Sequence, residues 1–167
     1  MKTLYFDCFS GASGDMIVGA LLDLGVDFDK LKAALESLDV SGYSVSAKKV
    51  KKKGMTATQF TVELDPNMKQ PHRHLRHVVE IIDRGNLSDA VKAASKETFR
   101  RIAESEAKVH GNKKKKVHFH EVGAIDSIVD VVGAHFCLDE IRCERIAATP
   151  LHVGAGTFLP VKVEDVK

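Results

Sequence analysis

Apolar residues follow two spacings along the chain, and these spacings predict alternating strands and helices. Short continuous apolar runs at residues 4–9 and 145–153 predict buried strands. Apolar positions three and four residues apart predict amphipathic helices packed on a core. The predicted helices cover residues 15–24, 29–38, 75–83, 89–110 and 124–141.

A strict apolar–polar alternation predicts one local hairpin. Phe60, Val62 and Leu64 alternate with polar neighbours, which is the period of a half-buried strand. A first arm over residues 43–51 precedes it, and Lys53-Gly54 supplies the turn. We therefore expect an α/β (α+β) fold in which helices pack against a mixed β-sheet.

The order of elements also predicts the domain organisation. A chain of 167 residues suits one domain, which we place at residues 1–153. The polar stretch 65–74, which carries two prolines, is expected to be an exposed loop. Residues 154–167 are treated as a C-terminal tail, consistent with a truncated end.

Composition narrows the functional classes. The chain is 44% hydrophobic and 29% charged, which is typical of a folded globular domain. A net charge of +2 gives no general attraction to nucleic acid or membranes. No apolar run is long enough to span a membrane, and no secretory leader is expected. Three cysteines without CxxC spacing argue against a disulfide scaffold, so we expect a reducing, cytoplasmic setting.

The segment Asp7–Met16 combines a strand end, a glycine loop and a helix start. Glycines allow sharp turns and close ligand approach, and the N–H groups that open a helix can hold an anion. Asp7 and Asp15 would repel a bare phosphate, so a metal, or a metal with a phosphate, suits the segment better. The candidate ligand-binding residues are Ser10, Gly11, Ser13 and Gly14. A tight turn in which Ser13 caps the helix is slightly favoured on spacing alone.

A second segment, Val117–Asp126, contains a His-x-His pair followed by two acids. In an extended chain His118 and His120 point to the same side, about 6–7 Å apart, and can share one ion. Glu121 and Asp126 can add oxygen ligands or act as acid or base. A solvent-facing histidine pair with a helix-start aspartate is the alternative. The spacing favours the metal site.

A third cluster places His72, His74 and His77 within one short stretch. These histidines could capture a metal loosely, and a basic surface loop is an equally good interpretation. Mixed imidazole and carboxylate ligands suit Zn, Ni, Fe or Mn. Physical chemistry therefore leads to a divalent transition metal and no further.

Three stretches together resemble one known family. They are Leu4–Met16, Glu106–Gly111 and Val117–Asp130, and their order is similar to that in the N-terminal half of the LarC nickel-insertion proteins. The resemblance extends to about Pro150. It implies a CTP-dependent insertase that places nickel into a pyridinium bis-thiocarboxylate mononucleotide, the cofactor of lactate racemase.

The resemblance also implies roles for individual residues. It places the family's histidine-rich loop at His72, His74 and His77. Together with the motifs above, it leads to the hypothesis that His118, His120 and Glu121, with Asp7 or Asp15, hold nickel. Asp7, Asp15, Glu121 and Asp126 become candidate catalytic residues, and Ser10–Gly14 would approach an anionic, nucleotide-like substrate.

CTP with Mg or Mn is expected only together with the family's C-terminal half, which this chain would need as a partner; self-association is a further expectation. A non-catalytic nickel metallochaperone is the main alternative. A metal-dependent hydrolase is a weaker one.

Overall fold

The computed structural model describes residues 1–9, 11–68, 71, 73–109, 118–119 and 124–151, with the backbone alone at 109, 118 and 119. Strands and helices alternate through this part of the chain. The strands are β1 (Thr3–Phe6), β2 (Tyr43–Lys52), β3 (Met55–Leu64), β4 (Arg73–His74), β5 (His118–Phe119) and β6 (Arg145–Ala148). The helices are α1 (Gly14–Asp23), α2 (Phe28–Glu36), α3 (Leu75–Arg84), α4 (Asp89–Val109) and α5 (Ile125–Ile141).

The predicted α/β class is confirmed, and the described strands pair as three two-stranded sheets. β1 and β6 are parallel, with Leu4 beside Ile146. β2 and β3 form the predicted antiparallel hairpin, and β4 pairs antiparallel with β5. The parallel pair brings together strands from opposite ends of the described chain, and Leu4 of β1 is part of the buried core.

Helix α5 lies at the centre of the apolar core. Its apolar stripe is buried at Ile125, Ile128, Val129 and Val132. Helix α1 packs against it through a second apolar face, and α2, α3 and α4 close the remaining sides. The 3.6-residue periodicity predicted these helices because each has one face in this core.

The hairpin is held against α1 by a close backbone approach. A Cβ atom at Gly19 would lie 2.5 Å from the carbonyl oxygen of Thr58, so only glycine fits there. At the end of α1, Asp23 accepts hydrogen bonds from Lys49 and from the Thr58 hydroxyl, the latter at 2.7 Å. The hairpin turn has positive φ at Lys53 and Gly54, as a tight two-residue turn requires.

Three boundaries differ from the predicted ones. The strand predicted over residues 145–153 ends at Ala148, because its partner β1 ends at Phe6 and Pro150 has no N–H to pair. β1 ends at Phe6 instead of Phe9, because the chain then turns sharply through Gly11. The predicted exposed loop 65–74 is wrong at its end, since Arg73 and His74 form β4 and Arg73 is only 9% exposed. Two residues cannot show an alternating pattern, so this strand has no sequence signal.

Two residues of α5 have structural roles in the core. His135 lies in α5 with its Nε2 atom 2.9 Å from the Thr98 hydroxyl, and burial lowers its pKa. Cys137 is fully buried, and burial raises the pKa of its thiol to about 12, which leaves it unreactive. None of the helices in the described ranges combines the length and apolar composition needed to cross a lipid bilayer.

Candidate functional site

The glycine turn after β1 is held by backbone hydrogen bonds. The Gly11 N–H donates to the Cys8 carbonyl at 3.0 Å, and Gly11 has a φ of +86° that favours glycine. The Cys8 N–H donates to the Thr149 hydroxyl at 2.8 Å, which ties the turn to the end of β6. Asp7 is exposed at the mouth of this turn.

The start of α1 follows directly. Ser13 occupies the N-cap position as predicted, but its hydroxyl donates to the Asp15 carboxylate instead of accepting from the helix. Asp15 is exposed in the first turn, where the helix dipole favours a negative charge. The predicted turn and helix start are therefore present, with the Ser13 side chain turned toward Asp15.

Gly14 is in close contact with a carboxylate that the site prediction omitted. A Cβ atom at Gly14 would lie 2.4 Å from the Cβ of Asp130 and 2.7 Å from its carboxylate carbon. The Asp15 backbone N–H donates a hydrogen bond to Asp130, while Asp130 Oδ1 is buried and lacks a hydrogen-bond partner among the described residues. The start of α1 thus rests on α5 through a glycine and an aspartate.

Asp126 completes a group of three acids, which we call the carboxylate cluster: Asp15, Asp126 and Asp130. Asp126 lies one helical turn before Asp130 on α5, and its Oδ1 accepts from the Ser127 N–H at 2.8 Å. That bond matches the alternative role of a helix-start residue. Asp15 and Asp126 are exposed, while Asp130 forms the half-buried end of the cluster.

Electrostatics within the cluster favour a proton on Asp130. Burial raises the pKa of Asp130 to about 6, and the neighbouring charges of Asp15 and Asp126 act in the same direction. The hydrogen bond from the Asp15 N–H opposes this rise. A carboxyl group with this pKa can exchange a proton near neutral pH, which an ordinary aspartate does poorly.

Acidic residues from the two predicted segments are therefore neighbours in the fold. Asp15 comes from the glycine segment, and Asp126 and Asp130 follow the His-x-His pair. A sequence signal for Asp130 existed, because it interrupts an otherwise apolar stretch of α5. It was missed because a single acid on a predicted helix is usually exposed to solvent. Only the fold shows that Gly14 packs against this one.

The backbone of the short β4–β5 ladder pairs two of the histidine-containing stretches, and the sequence did not predict this ladder. His74 is the cross-strand partner of His118, so the third cluster meets the His-x-His segment. The rings of His74 and His77 lie edge to face with centroids 5.5 Å apart. We call His74, His77 and His118 the histidine group.

His77 also has a structural role at the start of α3. Its Nδ1 accepts the His74 N–H at 3.3 Å, and its Nε2 accepts from Arg76 at 3.1 Å. A neutral imidazole has one acceptor nitrogen, so the two bonds exclude each other. Binding a metal through His77 would likewise require it to release one of them.

Four predicted site residues, Ser10, His72, His120 and Glu121, lie outside the described residues. Among the side chains that the structure describes, no three His, Cys, Asp or Glu residues form a ready metal site. Asp126 follows Phe119 by seven residues, so their Cα atoms are at most about 25 Å apart. The histidine group and the carboxylate cluster are thus tethered by one short segment.

Comparison with known proteins gives a consistent result. The sequence profile described as "Nickel insertion protein" matches residues 4–163. A pyridinium-3,5-bisthiocarboxylic acid mononucleotide nickel insertion protein from Acetivibrio thermocellus is 45% identical over 99% of the chain and 44% of its own length. A protein of the same name from Geobacillus kaustophilus is 44% identical over 95% of the chain and 40% of its own length. No solved structure matches the chain.

The match covers only part of each relative. The chain spans less than half the length of each. Its described part nevertheless has a continuous apolar core. The matched region therefore corresponds to a folded portion of a longer protein architecture.

Proposed function

Since this chain belongs to the nickel insertion protein family, we propose that it is the nickel-handling part of an insertase. The substrate is a pyridinium bis-thiocarboxylate mononucleotide, as the names of the relatives suggest. Insertion depends on CTP with Mg or Mn and on the family's C-terminal half. The product is the nickel-pincer nucleotide of lactate racemase, and the setting is cytoplasmic.

One observation carries the nickel assignment: His74 lies opposite His118 across β4 and β5. Residues directly opposite in an antiparallel pair have Cβ atoms about 4.5–5.5 Å apart, a spacing that two imidazoles bound to one ion can use. His120 and Glu121 follow immediately and would add a nitrogen and an oxygen ligand. His72 and His77 are the remaining candidates from the histidine-rich stretch. Imidazole nitrogens suit nickel.

The carboxylate cluster is proposed to serve the reaction rather than to hold nickel. Cyclometallation replaces a carbon-bound hydrogen with the metal, so a base must accept the released proton. Asp130, with a pKa of about 6, is a stronger base than an ordinary aspartate. Asp15 and Asp126 would pass the proton to solvent. Ser10–Gly14 would approach the anionic substrate, and Asp7 would face a metal ion that accompanies its phosphate.

A direct test compares nickel affinity in paired variants. His118→Ala combined with His120→Ala should weaken nickel binding at least tenfold in calorimetry, because two imidazole ligands are removed. His135→Gln is the matched control, since this histidine contacts Thr98 inside the fold. Unchanged affinity in the folded double variant would rule out this site.

A second candidate is a metallochaperone that holds nickel and docks to a separate C-terminal half without catalysing insertion. This chain covers less than half the length of each relative, which favours a function divided between two polypeptides. The two functions differ in a reconstitution with CTP, nickel and the precursor. Insertion by this chain alone would reject the chaperone. Nickel transfer to a separately active C-terminal half would reject the insertase assignment.

A further inference from the structure

Among the strands that the structure describes, β1 pairs only with β6, which leaves its second edge without a described neighbour. The carbonyls of Lys2 and Phe6 accept hydrogen bonds from the Arg145 and Thr149 N–H groups of the β6 side. Alternate residues of a strand direct their backbone groups to opposite sides. The backbone groups of Thr3 and Tyr5 therefore point away from β6, toward the other edge of β1.

An apolar groove runs along that same edge. A cavity of about 530 Å³ lies between β1, α1 and β3, and a second of about 360 Å³ continues past the start of β1. Both are lined by Leu4, Tyr5 and Leu24. We call this continuous surface the edge groove.

Large apolar side chains in the edge groove are exposed to solvent. Tyr5 is 61% exposed, Met16 55% and Leu24 65%. Met16 lies on α1 and Leu24 directly follows it, and both line the same groove as Tyr5 of β1. Parallel sheets are normally covered on both faces, and two strands rarely form a stable sheet alone. In the described part of the chain, this sheet therefore lacks the neighbouring strand that such sheets usually have.

We propose that the edge groove receives a β-strand from the part of the family architecture that this chain does not match. The relatives are more than twice as long as their matched regions, so enough polypeptide exists to supply the strand. An added strand would pair with the outward-facing groups of Thr3 and Tyr5 and cover Met16 and Leu24 with its apolar side chains. The inference rests on the family membership used for the proposed function and makes no use of nickel.

The test uses this chain and the unmatched remainder of the Acetivibrio thermocellus relative, co-expressed and purified through a tag on this chain. Hydrogen exchange of single amides is measured with and without the remainder. The Tyr5 N–H should exchange fast in the free chain and slow at least tenfold in the complex. The Leu4 N–H faces β6 and should be protected in both.

Side-chain variants give a second, independent readout. Tyr5→Lys combined with Leu24→Lys should weaken capture of the remainder at least tenfold, because charge opposes an added apolar strand. Met55→Lys is the matched control, since Met55 is 72% exposed at the hairpin end and outside the groove. Its capture should stay within about twofold of the parent chain. If the double variant does not fold, Leu24→Ser replaces it.

Four results would overturn the proposal. They are a Tyr5 amide already protected in the free chain, protection confined to another surface, equal weakening by Met55→Lys, and self-association of this chain through the groove. The assay contains no nickel, CTP or precursor. Failure of the proposed metal chemistry would therefore leave its outcome unchanged.

Discussion

The carboxylate cluster and the histidine group are built in different ways. The carboxylate cluster joins two helices of the core, and Gly14 and Asp130 meet there too closely for any added atom. The histidine group rests on two strands of two residues each and on the first turn of α3. Rigid packing fixes the position of the acids, whereas the histidines depend on a short ladder. Substitutions in the first region should change stability, and those in the second should change metal binding.

The largest effect that separates the two regions is expected for Gly14→Ala. The new methyl group would lie 2.4 Å from Asp130 Cβ, so α1 or α5 must shift. We expect the free energy of unfolding to fall by about 3 kcal/mol in urea denaturation. Gly133→Ala is the matched control, because its Cβ would meet Val18 at an ordinary 3.4 Å. That change should be neutral or stabilising by up to about 1 kcal/mol, and equal losses in both variants would contradict this packing.

A smaller, pH-dependent effect is expected for Asp130→Asn. The folded-state pKa of about 6 lies above the unfolded value near 4, so the folded protein holds this proton more tightly. Stability from the raised pKa is present below pH 4 and is lost as the pH rises to 6. The asparagine variant carries no charge. It should therefore be about 1–2 kcal/mol more stable than the parent at pH 8, after discounting for solvent access.

The difference in stability between the parent and Asp130→Asn should vanish near pH 3.5, where Asp130 is protonated in both the folded and the unfolded state. Urea unfolding at the two pH values measures it. A stability gap that is the same at both would show that burial does not raise the pKa of this group.

These two predictions also show where sequence reasoning reached its limit. The helices were predicted because each has one apolar face, a pattern the local sequence contains. The burial of Asp130 depends on Gly14, which lies more than a hundred residues earlier, and no local pattern reports that approach. β4 was missed for a related reason: its pairing with β5 is a long-range contact between two-residue strands.

For the candidate site, the sequence predicted single residues but not how they group in space. The Asp15 and Asp126 positions followed from their motifs, and both lie in the carboxylate cluster. The meeting of His74 with His118 joined two stretches that the sequence presented as separate candidates. Side-chain chemistry could thus be read locally, whereas the grouping of the side chains required the fold.

The smallest expected effect is in the histidine group. His77→Ala removes the acceptor for the His74 N–H and should lower the free energy of unfolding by about 0.5–1 kcal/mol. His77→Gln should recover most of this loss, since glutamine at this helix position can reach back to the same N–H. Thermal unfolding of both variants measures it. No difference between alanine and glutamine would show that the capping bond contributes nothing.

The most direct test of the account is a comparison of nickel affinity between the two regions by calorimetry. His74→Ala combined with His118→Ala should weaken nickel binding at least tenfold, or about 1.4 kcal/mol. Asp15→Asn combined with Asp126→Asn should leave it within about threefold. A large loss in the aspartate variant with unchanged binding in the folded histidine variant would contradict the account.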